Sequence, residues 1–190
     1  MVHLDYTKYD YDTLNLSPRI DKMKIKRRAF LLLGSLLGLS PYLNAQVING
    51  FQKEFKEVEK TLYAVQDHMF PEGCHLPSAQ AMYMTQFLYD TMQHHSFDKD
   101  IKAFVIEGAK ELQKREKGKF NTMSSKEKEK ALRAYEETRY GSSWLSRIMT
   151  LSMEGMFSDP IYGSNTKEAG WKALGSYGSF PRPKTKYLES

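Results

Sequence analysis

The sequence FQKEFKEVEKTLYAVQDHM, residues 51–69, decides the fold of this chain. Large apolar side chains recur in it at steps of three and four residues, at Phe51, Phe55, Val58, Leu62, Val65 and Met69. Because an α-helix turns once every 3.6 residues, this spacing places them on one face of an amphipathic helix over residues 50–69. The turn-forming residues Pro71, Glu72 and Gly73 predict where that helix ends.

The same periodicity predicts further helices downstream. A second helix is expected to start at Pro77 and Ser78, with its apolar face formed by Ala81, Met84, Leu88 and Met92. A third begins at Asp98 or Asp100, since either carboxylate can cap the first turn of a helix. Its apolar face carries Ile101, Phe104, Val105 and Leu112.

Two more helices follow a charged loop near Gly118. Ser124 and Glu127 have the spacing of a capping box and begin a fourth helix that is predicted to run through Arg139. The small residues 141–143 are expected to break the chain before a fifth helix, marked by Trp144, Ile148 and Leu151 and running towards Gly155. No alternating strand pattern of useful length is present. The sequence therefore predicts a single all-α domain over residues 46–190, a small bundle of about five helices closed by an irregular C-terminal segment.

That last segment changes character abruptly. It contains MFSDPIYGSN at residues 156–165 and GWKALG at residues 170–175, where Pro, Gly, Asn and aromatic residues crowd together. The residue before a proline is pushed out of the helical region, so Asp159 and Pro160 open a turn. The segment is too apolar for a solvated tail, and we expect it to pack either on its own domain or on a partner.

The N-terminal region has the three parts of an export signal. A basic run that includes Arg27 and Arg28 precedes a short apolar stretch starting at Ala29 and Phe30, and a small-residue cleavage site ends at Ala45. The apolar stretch is shorter than the roughly 20 residues that a membrane-spanning helix needs. The paired arginines predict a twin-arginine signal over residues 23–45, with an ordinary signal peptide as the alternative. Residues 1–22 are either a disordered extension or precede a true start at Met23.

Composition excludes several classes of function. The net charge of +5 is concentrated in the signal region, because the chain after residue 45 holds 21 basic and 19 acidic residues. No basic face with interleaved aromatic residues stands out, so we predict no nucleic-acid partner. Cys74 is the only cysteine, which rules out a c-type haem attachment motif and a four-thiolate iron–sulfur cluster. We expect Cys74 to be buried and free, with a disulfide to another chain as the alternative.

Catalytic and cofactor motifs are also missing from the sequence. The glycines near the C-terminus fit neither the dinucleotide fingerprint nor the phosphate-binding loop. The histidines at positions 68, 75, 94 and 95 match no metal-binding spacing, and the methionines fall at helical core spacings. We therefore predict no cofactor, no metal and no catalysis in this chain alone. A stand-alone enzyme that uses a cryptic His/Asp site is the less favoured alternative.

The motif Asp159-Pro160-Ile161-Tyr162-Gly163, with Asn165 and then Gly170-Trp171-Lys172 and Gly175, resembles the C-terminal signature of gluconate 2-dehydrogenase subunit 3. Residues 67–71, Asp-His-Met-Phe-Pro, are similar to another stretch of that family, and so is the arginine pair. The resemblance covers roughly residues 26–175. Two departures are Ser164, where the family usually has a second glycine, and residues 176–181, which replace its usual Phe-Pro-Gly.

The resemblance implies the small, cofactor-free subunit of a periplasmic, membrane-associated flavin dehydrogenase that acts on gluconate or a related sugar. It implies a flavoprotein partner carrying FAD, often a cytochrome c subunit, and the twin-arginine translocase. The residues assigned to the export signal are Arg27, Arg28, Phe30 and Ala45. The resemblance also makes the C-terminal segment a candidate docking surface for the flavoprotein. The residues assigned to it are Asp159, Pro160, Tyr162, Gly163, Asn165, Gly170 and Trp171. The alternative is an export and assembly chaperone that is released after translocation.

Overall fold

The first helix, α1, is longer than its apolar stripe. The structure, a computed structural model, describes residues 40–178 and 180–186, with side chains from residue 50 onward. In it α1 spans Ser40–Met69, so the helix begins about ten residues before the predicted start. Its predicted face is the core of the protein: Val58, Leu62 and Val65 are completely buried, and Phe51 and Phe55 nearly so. The predicted stop is also observed, since Gly73 adopts a positive φ of 85° just beyond the helix.

Six α-helices make up the part of the chain that the structure describes, and no strand occurs there. After α1 come α2 (Met84–Gln93), α3 (Lys99–Arg115), α4 (Ser125–Glu136), α5 (Arg139–Phe157) and the short α6 (Ala169–Ala173). The described residues from 44 onward form one compact unit. The predicted all-α bundle is therefore confirmed, with α6 as an additional short helix inside the C-terminal segment.

Helix α5 is the centre of the bundle and packs against α2, α3 and α4. Its Trp144 is fully buried, and the indole Nε1–H donates a hydrogen bond of 3.0 Å to the carbonyl oxygen of Val105 on α3. A β-carbon on Gly108 would lie only 2.0 Å from the Trp144 ring, so only glycine permits this close approach. The large aromatic side chain thus fixes the distance between α3 and α5.

A buried polar network joins three helices inside the core. The side chain of Gln66 on α1 is completely buried, and its Nε2 donates a 3.0 Å hydrogen bond to Ser152 Oγ on α5. Thr85 Oγ1 on α2 donates a 2.7 Å bond to Gln66 Oε1. Because buried polar groups are costly when unpaired, this network specifies how α1, α2 and α5 pack together.

Two predicted helix starts are wrong. Helix α2 begins at Met84 rather than at Pro77, because Tyr83 has a left-handed backbone (φ 51°, ψ 37°) that cannot continue into a preceding helix. Ala81 is consequently exposed, although Met84, Leu88 and Met92 are buried as predicted. The break before α5 lies at Thr138 instead of residues 141–143: the Thr138 side chain caps α5 by accepting a hydrogen bond from the Gly141 N–H.

The predicted helix caps are otherwise confirmed. Asp98, one of the two candidates, caps α3 and accepts hydrogen bonds from the backbone N–H groups of Asp100 and Ile101 at 2.8 and 3.0 Å. The capping box of α4 is present, with Ser124 Oγ accepting from the Glu127 N–H and the Glu127 carboxylate accepting from the Ser124 N–H. These interactions are local in sequence, which is why the residue spacing alone reveals them.

Candidate functional site

The chain leaves α5 at Phe157 and folds back over the end of the bundle. We call residues 158–178 and 180–186 the closing segment. Asp159 caps a short 3₁₀ helix, Pro160–Tyr162, through its Oδ1, which accepts a 3.1 Å hydrogen bond from the Ile161 N–H. Pro160 fits the first position of this helix, where no N–H is needed. Gly163 ends the helix with a positive φ of 88°, a conformation that glycine adopts without strain.

Asn165 holds the two halves of the closing segment together. It is completely buried and has a left-handed backbone with φ 48°. Its Nδ2 donates a 2.8 Å hydrogen bond to the Ser158 carbonyl, and its Oδ1 accepts a 2.9 Å bond from the Gly170 N–H. Only an amide side chain supplies a donor and an acceptor in this arrangement, and asparagine tolerates the left-handed backbone better than most residues.

Ser164 anchors the closing segment to the chain ahead of α2. Its side chain is buried, and the hydroxyl donates a 2.6 Å hydrogen bond to the carbonyl oxygen of Met82. This is the position where the sequence departs from the resembled motif, and a glycine there would have no side chain to make the bond. The bond also lies next to Tyr83, whose left-handed backbone begins α2.

Gly170 lets α6 lie directly against the end of α5. A β-carbon at this position would lie 2.1 Å from the carbonyl oxygen of Met156 and 3.1 Å from Asn165 Oδ1. Distances this short leave no room for any side chain, and the nearest obstacle is backbone that cannot rotate away. Close packing therefore requires glycine at this position. The backbone conformation does not require it, because the φ of Gly170 is not in the left-handed region.

The indole of Trp171 is enclosed by the closing segment. Its Nε1–H donates a 2.8 Å hydrogen bond to the Phe157 carbonyl at the end of α5. Gly178 lies against the ring, because a β-carbon there would be 2.5 Å from the indole Cη2. The Arg182 guanidinium is 4.4 Å from the ring centre, a cation–π contact. Trp171 is only partly buried, but contacts with Phe157, Gly178 and Arg182 hold its ring on several sides.

Arg182 forms ion pairs with two acidic residues that lie earlier in the closing segment. It donates hydrogen bonds of 2.8 Å to Asp159 Oδ2 and 2.7 Å to Glu168 Oε1. Burial raises the pKa of Asp159, but the hydrogen bonds from Arg182 and from the Ile161 N–H outweigh it and hold that pKa below its usual value. Sequence reasoning missed Arg182 and Glu168, because nothing in the local pattern around either residue indicates the other.

The two stretches that resemble a known family meet in space. Phe70, from the stretch 67–71, is buried in a small hydrophobic cluster with Met82, Met84 and Met156, and Ala169 of the closing segment packs against it. The main core, which contains the predicted face of α1, is a separate and larger cluster. The closing segment therefore seals one end of the bundle together with the end of α1.

The residues predicted to bind a partner are unequally accessible. Asn165 and Gly170 are buried and act as internal supports. Gly163 is exposed, while the remaining four predicted residues are partly buried: Asp159, Pro160, Tyr162 and Trp171. The docking role of these residues stays a prediction. The strongly exposed apolar side chains of the segment are others, namely Leu174, Tyr177 and Phe180, and the sequence analysis did not single them out.

A second candidate site is a cleft of about 380 Å³ lined by residues of α1, α4 and α5. Its polar wall contains His68 Nε2 at 2.7 Å from Glu129 Oε2, and Arg133 Nε donates a 2.8 Å hydrogen bond to the other oxygen of the same carboxylate. The hydrogen bonds from His68 and Arg133 lower the pKa of Glu129. Its apolar wall includes Met69 and Leu145. Because His68 lies on α1 and Glu129 on α4, the hydrogen bond between them joins the end of α1 to α4.

The structure places Cys74 in an environment other than the expected one. Cys74 is exposed, so the expectation that it is buried is wrong; it lies in the turn after α1, where little packs on it.

Among the described residues, no three His, Cys, Asp or Glu side chains gather where they could hold a metal. No helix in residues 40–178 and 180–186 is both long and apolar enough to cross a membrane. Arg27, Arg28 and Phe30 lie outside the described residues, and Ala45 falls within the span of α1.

Comparison with models of known protein families identifies this chain. The family model described as gluconate 2-dehydrogenase subunit 3 matches residues 56–178. The match covers the C-terminal part of α1 from residue 56, the rest of the bundle and the closing segment as far as Gly178. Searches of curated proteins and of solved structures each returned no match.

Proposed function

Because this chain belongs to the gluconate 2-dehydrogenase subunit 3 family, we propose that it is the non-catalytic small subunit of a periplasmic flavin-dependent dehydrogenase that oxidises gluconate or a related sugar. In this proposal the flavoprotein subunit carries the FAD and performs the oxidation. The small subunit binds it, supports its assembly and brings it to the translocase. A cytochrome c subunit that passes the electrons onward is the further partner, and the complex associates with the cytoplasmic membrane.

The family match over residues 56–178 carries this proposal. What the described structure adds is consistent with a binding subunit. Asn165, Gly170 and Arg182 hold the closing segment through hydrogen bonds, close packing and ion pairs, and exposed apolar side chains project from it. A rigid support beneath exposed aromatic residues suits a protein that binds another protein, because little conformational entropy is lost on docking.

Export is the second part of the proposal. Arg27 and Arg28 precede a short and mildly apolar stretch, the pattern of a twin-arginine signal. A flavoprotein folds around its cofactor before export, and the twin-arginine route carries folded proteins. A partner that lacks its own signal would therefore cross the membrane bound to this chain.

The subunit role is tested by purification from the native host. An affinity-tagged chain isolated from the periplasmic and membrane fractions should bring down a flavin-containing dehydrogenase in fixed ratio, with gluconate or a related sugar reducing its flavin. A chain recovered without any flavoprotein would overturn the proposal. If the flavoprotein accompanies only the cytoplasmic precursor and is absent after export, the chain is instead an assembly chaperone.

The export role is tested by the double substitution Arg27→Lys and Arg28→Lys, which keeps the charge and removes the arginine pair. We expect both this chain and the flavoprotein to remain in the cytoplasm. The control is Lys24→Arg with Lys26→Arg, which changes two neighbouring basic residues of the signal and leaves the pair intact. A flavoprotein that still reaches the periplasm in the first variant would disprove shared export.

A further inference from the structure

Three strongly exposed apolar side chains lie within seven residues of one another in the sequence of the closing segment. Leu174 is 57% exposed, Tyr177 79% and Phe180 77%, and all three lie between Trp171 and Arg182 in the sequence. We call them the aromatic patch. Large apolar side chains that are exposed together mark binding surfaces more often than singly exposed ones do. Tyrosine, tryptophan and arginine are also the residues that most often dominate the binding energy of protein interfaces.

The backbone beneath the aromatic patch is held in place. The Ser176 N–H donates a 2.9 Å hydrogen bond to the Trp171 carbonyl, which fixes the chain just before Tyr177. Gly178 lies against the Trp171 indole. The Arg182 guanidinium is 4.4 Å from the Trp171 ring centre and 5.6 Å from that of Phe180, so it connects a partly buried ring with an exposed one. These contacts therefore hold described residues next to Tyr177 and Phe180, while the two rings themselves remain exposed.

The charge around the patch is positive. Lys167, Lys172, Lys184 and Lys186 are all exposed on the closing segment. Its two acidic residues, Asp159 and Glu168, are both bound to Arg182. In the part of the chain that the structure describes, neither Lys184 nor Lys186 forms a salt bridge. Lysines that border an apolar centre are the expected rim of an interface whose partner surface is negative.

We propose that the aromatic patch and its lysine rim form the docking surface for the dehydrogenase subunit, and that the partner presents an apolar depression bordered by carboxylates. This inference rests on the proposed function, since it assigns the surface by which the small subunit binds. It differs from the sequence prediction, which placed docking on residues 159–171. Two of those residues, Asp159 and Trp171, contact Arg182, which in turn lies 5.6 Å from the Phe180 ring centre.

A membrane surface and a second copy of this chain are the competing occupants. Segments that bind membranes are usually amphipathic helices with a continuous apolar face, whereas the patch lies on irregular chain after α6. A second copy would bring two positive rims together, which like-charge repulsion opposes. A partner with a negative rim is the occupant that the charges favour.

The test measures binding of purified variants to the dehydrogenase that co-purifies with the wild-type chain. Leu174→Ser, Tyr177→Ser and Phe180→Ser together should weaken the Kd at least about thirtyfold, because truncating even one central anchor typically costs that much. The matched control is Tyr63→Ser, Tyr140→Ser and Met153→Ser, which removes large exposed side chains elsewhere on the bundle and should leave the Kd within about threefold. Equal binding by both triple variants would overturn the docking proposal while the proposed function stands.

The lysine rim is tested separately by salt dependence. Lys184→Gln with Lys186→Gln should slow association and reduce its sensitivity to ionic strength, whereas Lys126→Gln with Lys130→Gln on the exposed side of α4 should not. An unchanged salt dependence in the first pair would contradict the negative partner surface.

The competing occupants have their own readouts. The isolated chain can be sedimented with phosphatidylglycerol and phosphatidylethanolamine vesicles. If the wild-type chain sediments with them and the patch variant does not, the patch binds membrane and the proposal is overturned. A wild-type dimer that becomes monomeric in the patch variant would assign it to a second copy, with the same consequence. If the wild-type chain retrieves no flavoprotein at all, the proposed function fails first, and the docking surface falls with it.

Discussion

Replacing Gly170 by alanine tests whether the closing segment stabilises the bundle. The new β-carbon would lie 2.1 Å from the Met156 carbonyl oxygen, more than an ångström short of van der Waals contact, which begins at 3.4 Å. The obstacle is backbone at the end of α5, so it cannot turn aside as a flexible side chain would. Either α6 moves away from α5, or the hydrogen bond between the Gly170 N–H and Asn165 Oδ1 lengthens.

The magnitude follows from what must move. Overpacking a tight site typically costs about 1–3 kcal/mol, and a backbone obstacle places this change at the upper end. We therefore expect Gly170→Ala to lower the free energy of unfolding by about 3 kcal/mol, which for a chain of this size lowers the Tm by roughly 6–12 °C. Gly50→Ala is the matched control: it lies on α1 with nothing within 4 Å of the added carbon. Alanine there should raise stability by about 0.5–1 kcal/mol, since it favours helix more than glycine does.

Urea unfolding followed by circular dichroism measures both changes. Both variants replace glycine by alanine. Changes of opposite sign in the free energy of unfolding would therefore isolate the effect of the close approach at Gly170. Binding of the folded Gly170→Ala variant to the flavoprotein gives the second readout. If Gly170→Ala is as stable as the wild type, the closing segment does not lie against α5 as described, and the argument is refuted.

Three further predictions concern single contacts. Trp171→Ala should lower the free energy of unfolding by about 2 kcal/mol and Trp171→Phe by about 1 kcal/mol, because phenylalanine keeps a ring under Arg182 but loses the hydrogen bond to the Phe157 carbonyl. Equal losses for the two variants in urea unfolding would contradict the role of that ring. Gln66→Leu should lower the free energy of unfolding by about 2 kcal/mol, because it leaves Ser152 buried and unpaired, and adding Ser152→Ala should recover about 1 kcal/mol. A double variant that is no more stable than Gln66→Leu alone would argue against the network. The pKa of Asp159 is lowered by folding, so its carboxylate stabilises the fold above the unfolded pKa and this stabilisation is lost as the pH falls below about 4. The Tm should therefore decline less steeply with acid in Asp159→Asn, and parallel declines would show that the pairing with Arg182 contributes nothing.

Local interactions explain which parts of the fold could be predicted. The apolar face of α1, the Asp98 cap and the Ser124 capping box each depend on residues within one or two helical turns, so the spacing in the sequence indicates them directly. Helix α2 is the counterexample. Its start at Met84 depends on the left-handed backbone of Tyr83, beside a carbonyl that is bound by Ser164 from far along the chain.

The candidate site divides in the same way. The crowding of Pro, Gly, Asn and aromatic residues predicted an irregular, packed segment, and the Asp159 turn was predicted from the proline that follows it. The roles of Asn165 and Gly170 were not visible, because each depends on backbone atoms of α5 and its end. Arg182 was missed for the same reason, as its partners lie 23 and 14 residues away.

The sequence by itself determined the helical class, the buried face of α1 and the resemblance that the family match confirmed. Only the tertiary structure decided which motif residues face inward and which side chains remain in water. The physical reason is that periodicity reports how a residue relates to its neighbours along the helix. Exposure depends on what another part of the chain covers, so Cys74 is exposed against expectation, and Leu174, Tyr177 and Phe180 form a surface that no spacing rule had marked.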